Sequence, residues 1–292
     1  MESIDNRITM SGQEQKDVML QILLDFAAFC DQHKLSYFLD AGTLIGAVRH
    51  QGFIPWDDDV DVCMPRKDFD TFMELMRAQG DRLGEHLFLE RPKDIVYPFP
   101  KLADDRTILV EHPEKHPEEV AVYIDIFPKD GIKDKKLGSK ILCKISECFE
   151  LLQWFNNYSI YAWQKSGSPI KKVIAWFGRK LVKRPNWGVK YQDKLIRRHN
   201  KKVKYESCKY VTTLVRGEFR KLAPMECFTD YKWASFEGKQ LKIPIGYDTY
   251  LRCLYKGDYM QLPPEDQRKW HNTIIYWRSE ADKKAFYQGE GL

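Results

Sequence analysis

Four consecutive residues, Asp59-Val60-Asp61-Val62, alternate a carboxylate with a valine, and this alternation constrains the fold more sharply than any other stretch of the chain. In a strand, successive side chains point to opposite faces, so both carboxylates project from one side while the valines pack behind. Two like charges so close repel each other. Burying both without a partner is costly and forces one to take up a proton, unless a cation holds them. The simplest remedy is a hard divalent ion. Mg2+, or Mn2+ in its place, prefers oxygen, uses one or two carboxylates, and completes its shell with water and phosphate oxygens. The strand therefore points to metal-dependent chemistry on a phosphate, with Asp59 and Asp61 as ligands.

The preceding segment supplies the other half of a phosphate site. Residues 36–41 read as a short strand, Gly42 lets the backbone approach a ligand, and Thr43 opens a helix running to about His50. Free amides at a helix start attract anions, and Arg49 offers a planar fork of donors as a second phosphate contact. Further along, Asp125 in VYIDIFP lies between Ile124 and Ile126, so period two turns its carboxylate away from them. It is a natural third acid, able to complete the metal site or to take a proton from an attacking hydroxyl. Arg66 and Lys101 are candidates for neutralising a diphosphate. His271, in DQRKWH, is a candidate substrate contact or acid/base group, with a structural helix histidine as the equal alternative. Trp56, Asp57 and Asp58 precede the acidic pair in a loop and are read as supporting residues.

A chain of 292 residues, 43% hydrophobic and 30% charged, can bury a sizeable core as one large or two modest domains. No N-terminal basic segment leads into an apolar run, and no window offers the roughly 18 apolar residues of a membrane span, so a cytoplasmic protein is expected. Seven cysteines without a C-x-x-C pair suit reduced thiols and argue against a cysteine zinc site. The net charge of +5 is unevenly spread: residues 165–209 hold fifteen Lys and Arg against only Asp193 and Glu206. No nucleic-acid motif accompanies this patch, and no nucleic-acid partner is expected. The segment 170–184 instead places Ile170, Val173, Ile174, Phe177 and Leu181 on one helical face with basic flanks. That pattern fits either peripheral contact with an anionic membrane on its inner face or packing within the chain.

Ser11 and Glu14 form a capping-box pattern ahead of a helix whose apolar stripe is Met19, Ile22, Leu23, Phe26, Phe29 and Cys30. After it come the strand at 36–41, the helix at 43–50, the acidic strand at 59–64 and a helix over 65–78. Short strands are expected at 86–90, 99–103, 107–111 and 121–127. Residues 135–204 read as helices broken by Gly167, Ser168, Pro169 and Pro185. Strands are expected again at 210–215, 232–236 and 240–244, the last two as a hairpin, with a helix over 247–255. The organisation expected is α+β: a mixed sheet flanked by helices over 1–130, a basic helical insertion over 131–205, and strands and a helix over 206–292 that complete the core and the acceptor side.

These motifs resemble the LicD family, related to the fukutin-type phosphotransferases and placed in the nucleotidyltransferase superfamily. The resemblance is carried by AGTLIGAVRHQGFIPWDDDVDVCMPRKDF, by YIDIFPKDG and by IPIGYDTYLRCLYKGDYMQLPPEDQRKWH, which are spread over nearly the whole chain. The first of them is the most specific. The superfamily pattern falls on Gly42-Thr43, Asp59, Asp61 and Asp125. The resemblance implies a nucleotidyltransferase-like fold and transfer of phosphocholine, or a related substituted phosphate, from a CDP-linked donor. The acceptor would be a hydroxyl of a cell-surface glycan, lipid-linked glycan or teichoic acid precursor. Family members also use CDP-linked alditols, so an alditol-phosphate transferase is an alternative. A D-x-D glycosyltransferase is the rival reaction, since such a pair also anchors nucleotide sugars through a metal. A non-catalytic binder of anionic polymer would account for the basic segment but leaves the carboxylates unexplained.

Overall fold

The computed structural model describes residues 7–90, 99–111, 118–154, 187–268 and 273–289. In chain order the strands are β1 (Ile8–Thr9), β2 (Phe38–Leu39), β3 (Asp61–Pro65), β4 (Arg82–Leu83), β5 (Leu87–Glu90), β6 (Lys101–Glu111), β7 (Glu118–Ile132), β8 (Tyr210–Thr212), β9 (Ala223–Pro224), β10 (Tyr231–Phe236), β11 (Lys239–Pro244) and β12 (Ile274–Trp277). The helices are α1 (Gly12–Gln32), α2 (Ala41–Ile45), α3 (Arg66–Ala78), α4 (Leu137–Trp154), α5 (Trp187–Lys202), α6 (Tyr247–Tyr255) and α7 (Glu280–Gly289).

The main sheet runs in the order β1-β12-β6-β7-β3-β2, with β5 and β4 added along β6 and with β8 and β9 added on β7. The β3–β7 pair is parallel, whereas β7 runs antiparallel to β6 and β8. This is the mixed, α+β sheet expected. The C-terminal segment returns to it, because β12 lies between β1 and β6.

The Ser11–Glu14 capping box forms, and the stripe from Met19 to Cys30 is buried. Phe26 meets Tyr37 and Phe72 edge-on at 5.5 and 5.4 Å, fixing α1 and α3 against one another. Several expectations shift. The strand at 36–41 shrinks to Phe38–Leu39, because Asp40 caps a helix that begins at Ala41 rather than Thr43. That helix does not run evenly to His50: after Ile45 it widens into a π turn over Gly46–His50. The strands expected at 99–103 and 107–111 are one strand, β6, kinked where its register against β7 shifts between Asp104 and Leu109. Side chains hold that kink. Thr107 Oγ1 accepts the Val122 amide at 2.8 Å, and Arg106 grips Asp104 with bonds of 2.7 and 3.0 Å.

The hairpin expected at 232–244 forms as β10–β11 but stands apart from the main sheet. The expected strand 210–215 stops at Thr212, and a 3-10 turn over Leu214–Arg216 redirects the chain. Helix α4 precedes the basic region, α5 lies within it, and the two pack on each other. The segment 170–184 and His271 lie outside the described residues. Among the described residues no helix is long and apolar enough to cross a membrane. All seven cysteines are free in the structure.

Candidate active site

The parallel register of β3 and β7 places Asp61 directly opposite Asp125, and the antiparallel register of β6 places Lys101 opposite Asp125 on its other side. Partners across a ladder share a face, so the three charged side chains stand abreast over three strands. Lys101 is only 2% exposed. Its Nζ lies 3.1 Å from Asp125 Oδ1 and 3.2 Å from the centre of the Tyr123 ring. The approach to Asp125 is off the line a hydrogen bond needs, so that buried oxygen has an ion-pair contact without an aligned donor. Asp59 lies just ahead of β3, where the Asp125 amide donates to Val60 O at 2.8 Å.

Electrostatics follow from that crowding. Burial, followed by repulsion from Asp59, Asp125 and Asp40, pushes the Asp61 carboxyl well above the usual carboxylate range, with Arg216 pulling the other way. Burial also raises Asp125; Lys101 opposes the rise and Asp59 adds to it. A cation would relieve this unfavourable concentration of negative charge. Among the described residues no group of three or more His, Cys, Asp or Glu is placed to hold an ion by itself. A magnesium-type ion held by Asp61 and its acidic neighbours would therefore depend on water and donor phosphate oxygens for much of its shell, which is its ordinary habit.

Beside the acids lies a second network. Lys129 Nζ donates to Asp40 Oδ2 at 2.6 Å, Tyr250 Oη at 2.7 Å and Thr213 Oγ1 at 3.1 Å, and the Tyr250 hydroxyl donates to Asp40 Oδ1. Burial alone would raise Asp40, but Lys129 and Tyr250 hold its carboxyl below the usual range. Asp40 also accepts the Ala41 amide at 2.9 Å, and Ala41 itself has φ of +43°, in the left-handed region. Non-glycine residues pay of order 1–3 kcal/mol for such a conformation, and it tends to occur where function needs it. Sequence reasoning singled out none of Asp40, Lys129 or Tyr250, although all lie within or beside the quoted motifs. Lys129 had a signal: it is four residues beyond Asp125 in the same strand and so on the same face.

Asp61 of the first network and Asp40, Lys129, Thr213 and Tyr250 of the second line one cleft of about 170 Å3, bordered also by Arg216, Glu218, Lys221, Tyr255 and Phe127. The turn after β8 delivers Arg216, whose guanidinium carbon lies 4.8 Å from the centre of the Phe127 ring. Gly217 makes the turn possible. Its φ is +69°, and a Cβ there would stand 2.5 Å from Cys143 O.

The other residues expected from the sequence take varied places. Thr43 is buried and its Oγ1 accepts the Asp61 amide at 2.9 Å, tying the start of α2 to the acidic strand. Gly42 leaves room for a carboxylate, since a Cβ there would lie 2.7 Å from Asp57 Oδ2. The Asp58 carbonyl accepts from Gln15 at 3.1 Å, and Trp56 stacks under Arg268 at 4.9 Å. Arg49 donates to the carbonyl oxygens of Tyr259 at 2.7 Å and Gln261 at 3.4 Å. Arg66 stands apart from the acids. It bonds Asp130 at 2.7 Å and lines a separate, basic cavity with Lys67, Lys201 and Lys204.

Residues 34–139, which contain Asp40, Asp59, Asp61, Asp125 and Lys129, match the family model described as LicD/FKTN/FKRP, nucleotidyltransferase domain. Over 275 residues the chain is 31% identical to the lipopolysaccharide cholinephosphotransferase LicD of Haemophilus influenzae, covering 89% of this chain and 95% of that protein. An uncharacterized protein of Rickettsia prowazekii is 34% identical over 77 residues, 26% of this chain and 29% of that one. One from Rickettsia typhi is 31% identical over 125 residues, 42% and 38% of the respective chains.

Proposed function

The chain belongs to the LicD family, and from that premise we propose that it transfers phosphocholine from CDP-choline to a hydroxyl of a cell-surface glycan such as lipopolysaccharide. The Haemophilus relative's name supports the choline phosphate and the lipopolysaccharide. The cytidine nucleotide is our reading of the resemblance, and a CDP-alditol donor or a teichoic acid precursor as acceptor is its close variant. The observation that carries the chemistry is the register setting Asp61 beside Asp125, with Lys129, Arg216 and Lys221 in the same cleft.

Asp59 and Asp61 would hold Mg2+ or Mn2+, which when bound supplies neutralising charge to the donor diphosphate, and Asp125 beside them would serve as proton acceptor. Arg216 supplies further positive charge at the cleft, where Lys221 is paired with Glu218 at 2.6 Å, and Lys129 with Tyr250 fixes Asp40 beside Asp61. The acceptor oxygen attacks the phosphorus distal from cytidine. A new P–O bond forms, the bond to the bridging oxygen breaks, and CMP leaves with that oxygen. The hydroxyl proton passes to a carboxylate, for which Asp125 is suited because burial raises its proton affinity.

Incubation with CDP-choline and a lipopolysaccharide acceptor, both products being weighed by mass spectrometry, tests this reading. CMP and an acceptor heavier by one phosphocholine are expected. Release of a nucleoside diphosphate from a nucleotide sugar, with a glycoside formed, would establish the glycosyltransferase instead.

A further inference from the structure

Helix α4 packs Leu142 against the core but carries three other large apolar side chains on the outside. Leu137, Ile141 and Ile145 recur at intervals of four and are 71%, 48% and 41% exposed. Together with Cys148 and Phe149 they border a shallow groove of about 380 Å3. The side of α4 turned to the protein holds Leu142 together with smaller and more polar groups: Cys143 and Ser146 are fully buried, and Gln192 of α5 donates to the Ser146 carbonyl at 3.0 Å. An ordinary surface helix has the reverse arrangement. Beside the apolar row runs a parallel row of Lys136, just ahead of the helix, Lys140 and Lys144, the last also paired with Glu147 one turn on.

We propose that this outer face of α4 docks the protein on an anionic lipid bilayer, with its axis in the plane of the interface. Charge complementarity selects the occupant. A row of lysines beside a row of aliphatic side chains lets the apolar row sink to the acyl boundary while the ammonium groups meet anionic headgroups. A second copy of the chain suits the face poorly, because two-fold pairing would bring the same lysine row against itself. The docking stands on α4 alone. Its purpose, presenting the cleft to a lipid-linked acceptor, rests on the function proposed above.

Flotation with vesicles of phosphatidylethanolamine containing about one-third phosphatidylglycerol tests it without any turnover. The full chain should float, lose binding as salt rises, and fail to float on phosphatidylcholine alone. The combined Leu137→Ser, Ile141→Ser and Ile145→Ser variant should lower partitioning at least about tenfold. Each of Lys136→Gln, Lys140→Gln and Lys144→Gln should lower it about fivefold. All six positions lie away from the cleft, so transfer to a delipidated, soluble acceptor should be unchanged in every variant, which separates failure of docking from failure of the proposed reaction. Flotation of the serine variant equal to that of the unmodified chain overturns the assignment and moves attachment elsewhere, with 170–184 the next segment to test. Absence of flotation by the unmodified chain also overturns it. So does light scattering that shows a dimer lost on serine substitution, which would make the stripe a protein interface.

Discussion

Neutralising Asp61 should lower activity and raise stability at once, a combination that a merely structural aspartate would not give. Asn preserves size and removes the charge that repels Asp59, Asp125 and Asp40 in a buried setting. Turnover of Asp61→Asn should fall at least ~100-fold, the scale of losing one transition-state electrostatic contact. Thermal unfolding in a chelating buffer should at the same time shift upward. Full turnover, or a lower unfolding temperature, would remove Asp61 from the role given to it. Asp61 and Asp125 were legible in the sequence because strand periodicity alone fixes which way they point. Lys101 was legible only as a cation that could neutralise a diphosphate, not as the ion-pair partner of Asp125. Asp40 and Tyr250 were not legible, because their partnership joins positions 210 residues apart and neither residue has an unusual local pattern. Arg216 was hidden for a different reason: its stretch read as continuing strand, whereas a left-handed glycine turns the chain and swings the guanidinium toward the cleft.

Elements with strong local signals match the expectation closely. The capping box starts α1 at Gly12, and the 247–255 helix is α6 with the same limits. Elements decided by distant contacts do not match as well, such as β6, whose two halves are joined by a kink held by Asp104, Arg106 and Thr107. Helix α4 is predicted to impose a pH dependence on the fold through Glu150. Burial raises its carboxyl from an ordinary 4.5 to about 7, with Arg216 opposing the rise. Between those two values the folded chain keeps a proton that the unfolded chain has released, so stability falls as pH climbs through the window and the loss is complete above the upper value. Glu150→Gln removes this proton linkage. The unfolding temperature of the variant relative to the unmodified chain should therefore rise between pH 5 and pH 8, and a difference that stays flat would show that Glu150 titrates normally.

At the scale of the molecule, the uneven charge seen in the sequence corresponds to a division of place. The paired acids Asp61 and Asp125 are set by the central strands β3 and β7, whereas basic side chains of α5, Arg197 and Lys201, line the separate cavity beside Arg66. The β12 strand and the β10–β11 hairpin come from the last third of the chain, so the body that supports the cleft is assembled from segments far apart in sequence. Repulsion among the cleft acids is then a cost to the whole fold, and a divalent cation should repay it globally. An ion that binds only the folded state stabilises it by about 2.7 kcal/mol at a hundredfold excess over its Kd. For a chain of this size that corresponds to a rise of roughly 5 °C in Tm. Mg2+ titrated against a metal-free preparation should produce such a saturable rise and, over the same concentration range, restore transfer from CDP-choline. Asp61→Asn should abolish the thermal increment as well as the transfer. A Tm indifferent to Mg2+, together with full activity in excess chelator, would show that Lys101, Lys129 and Arg216 balance the acids without a metal and that the cleft works with its own cations.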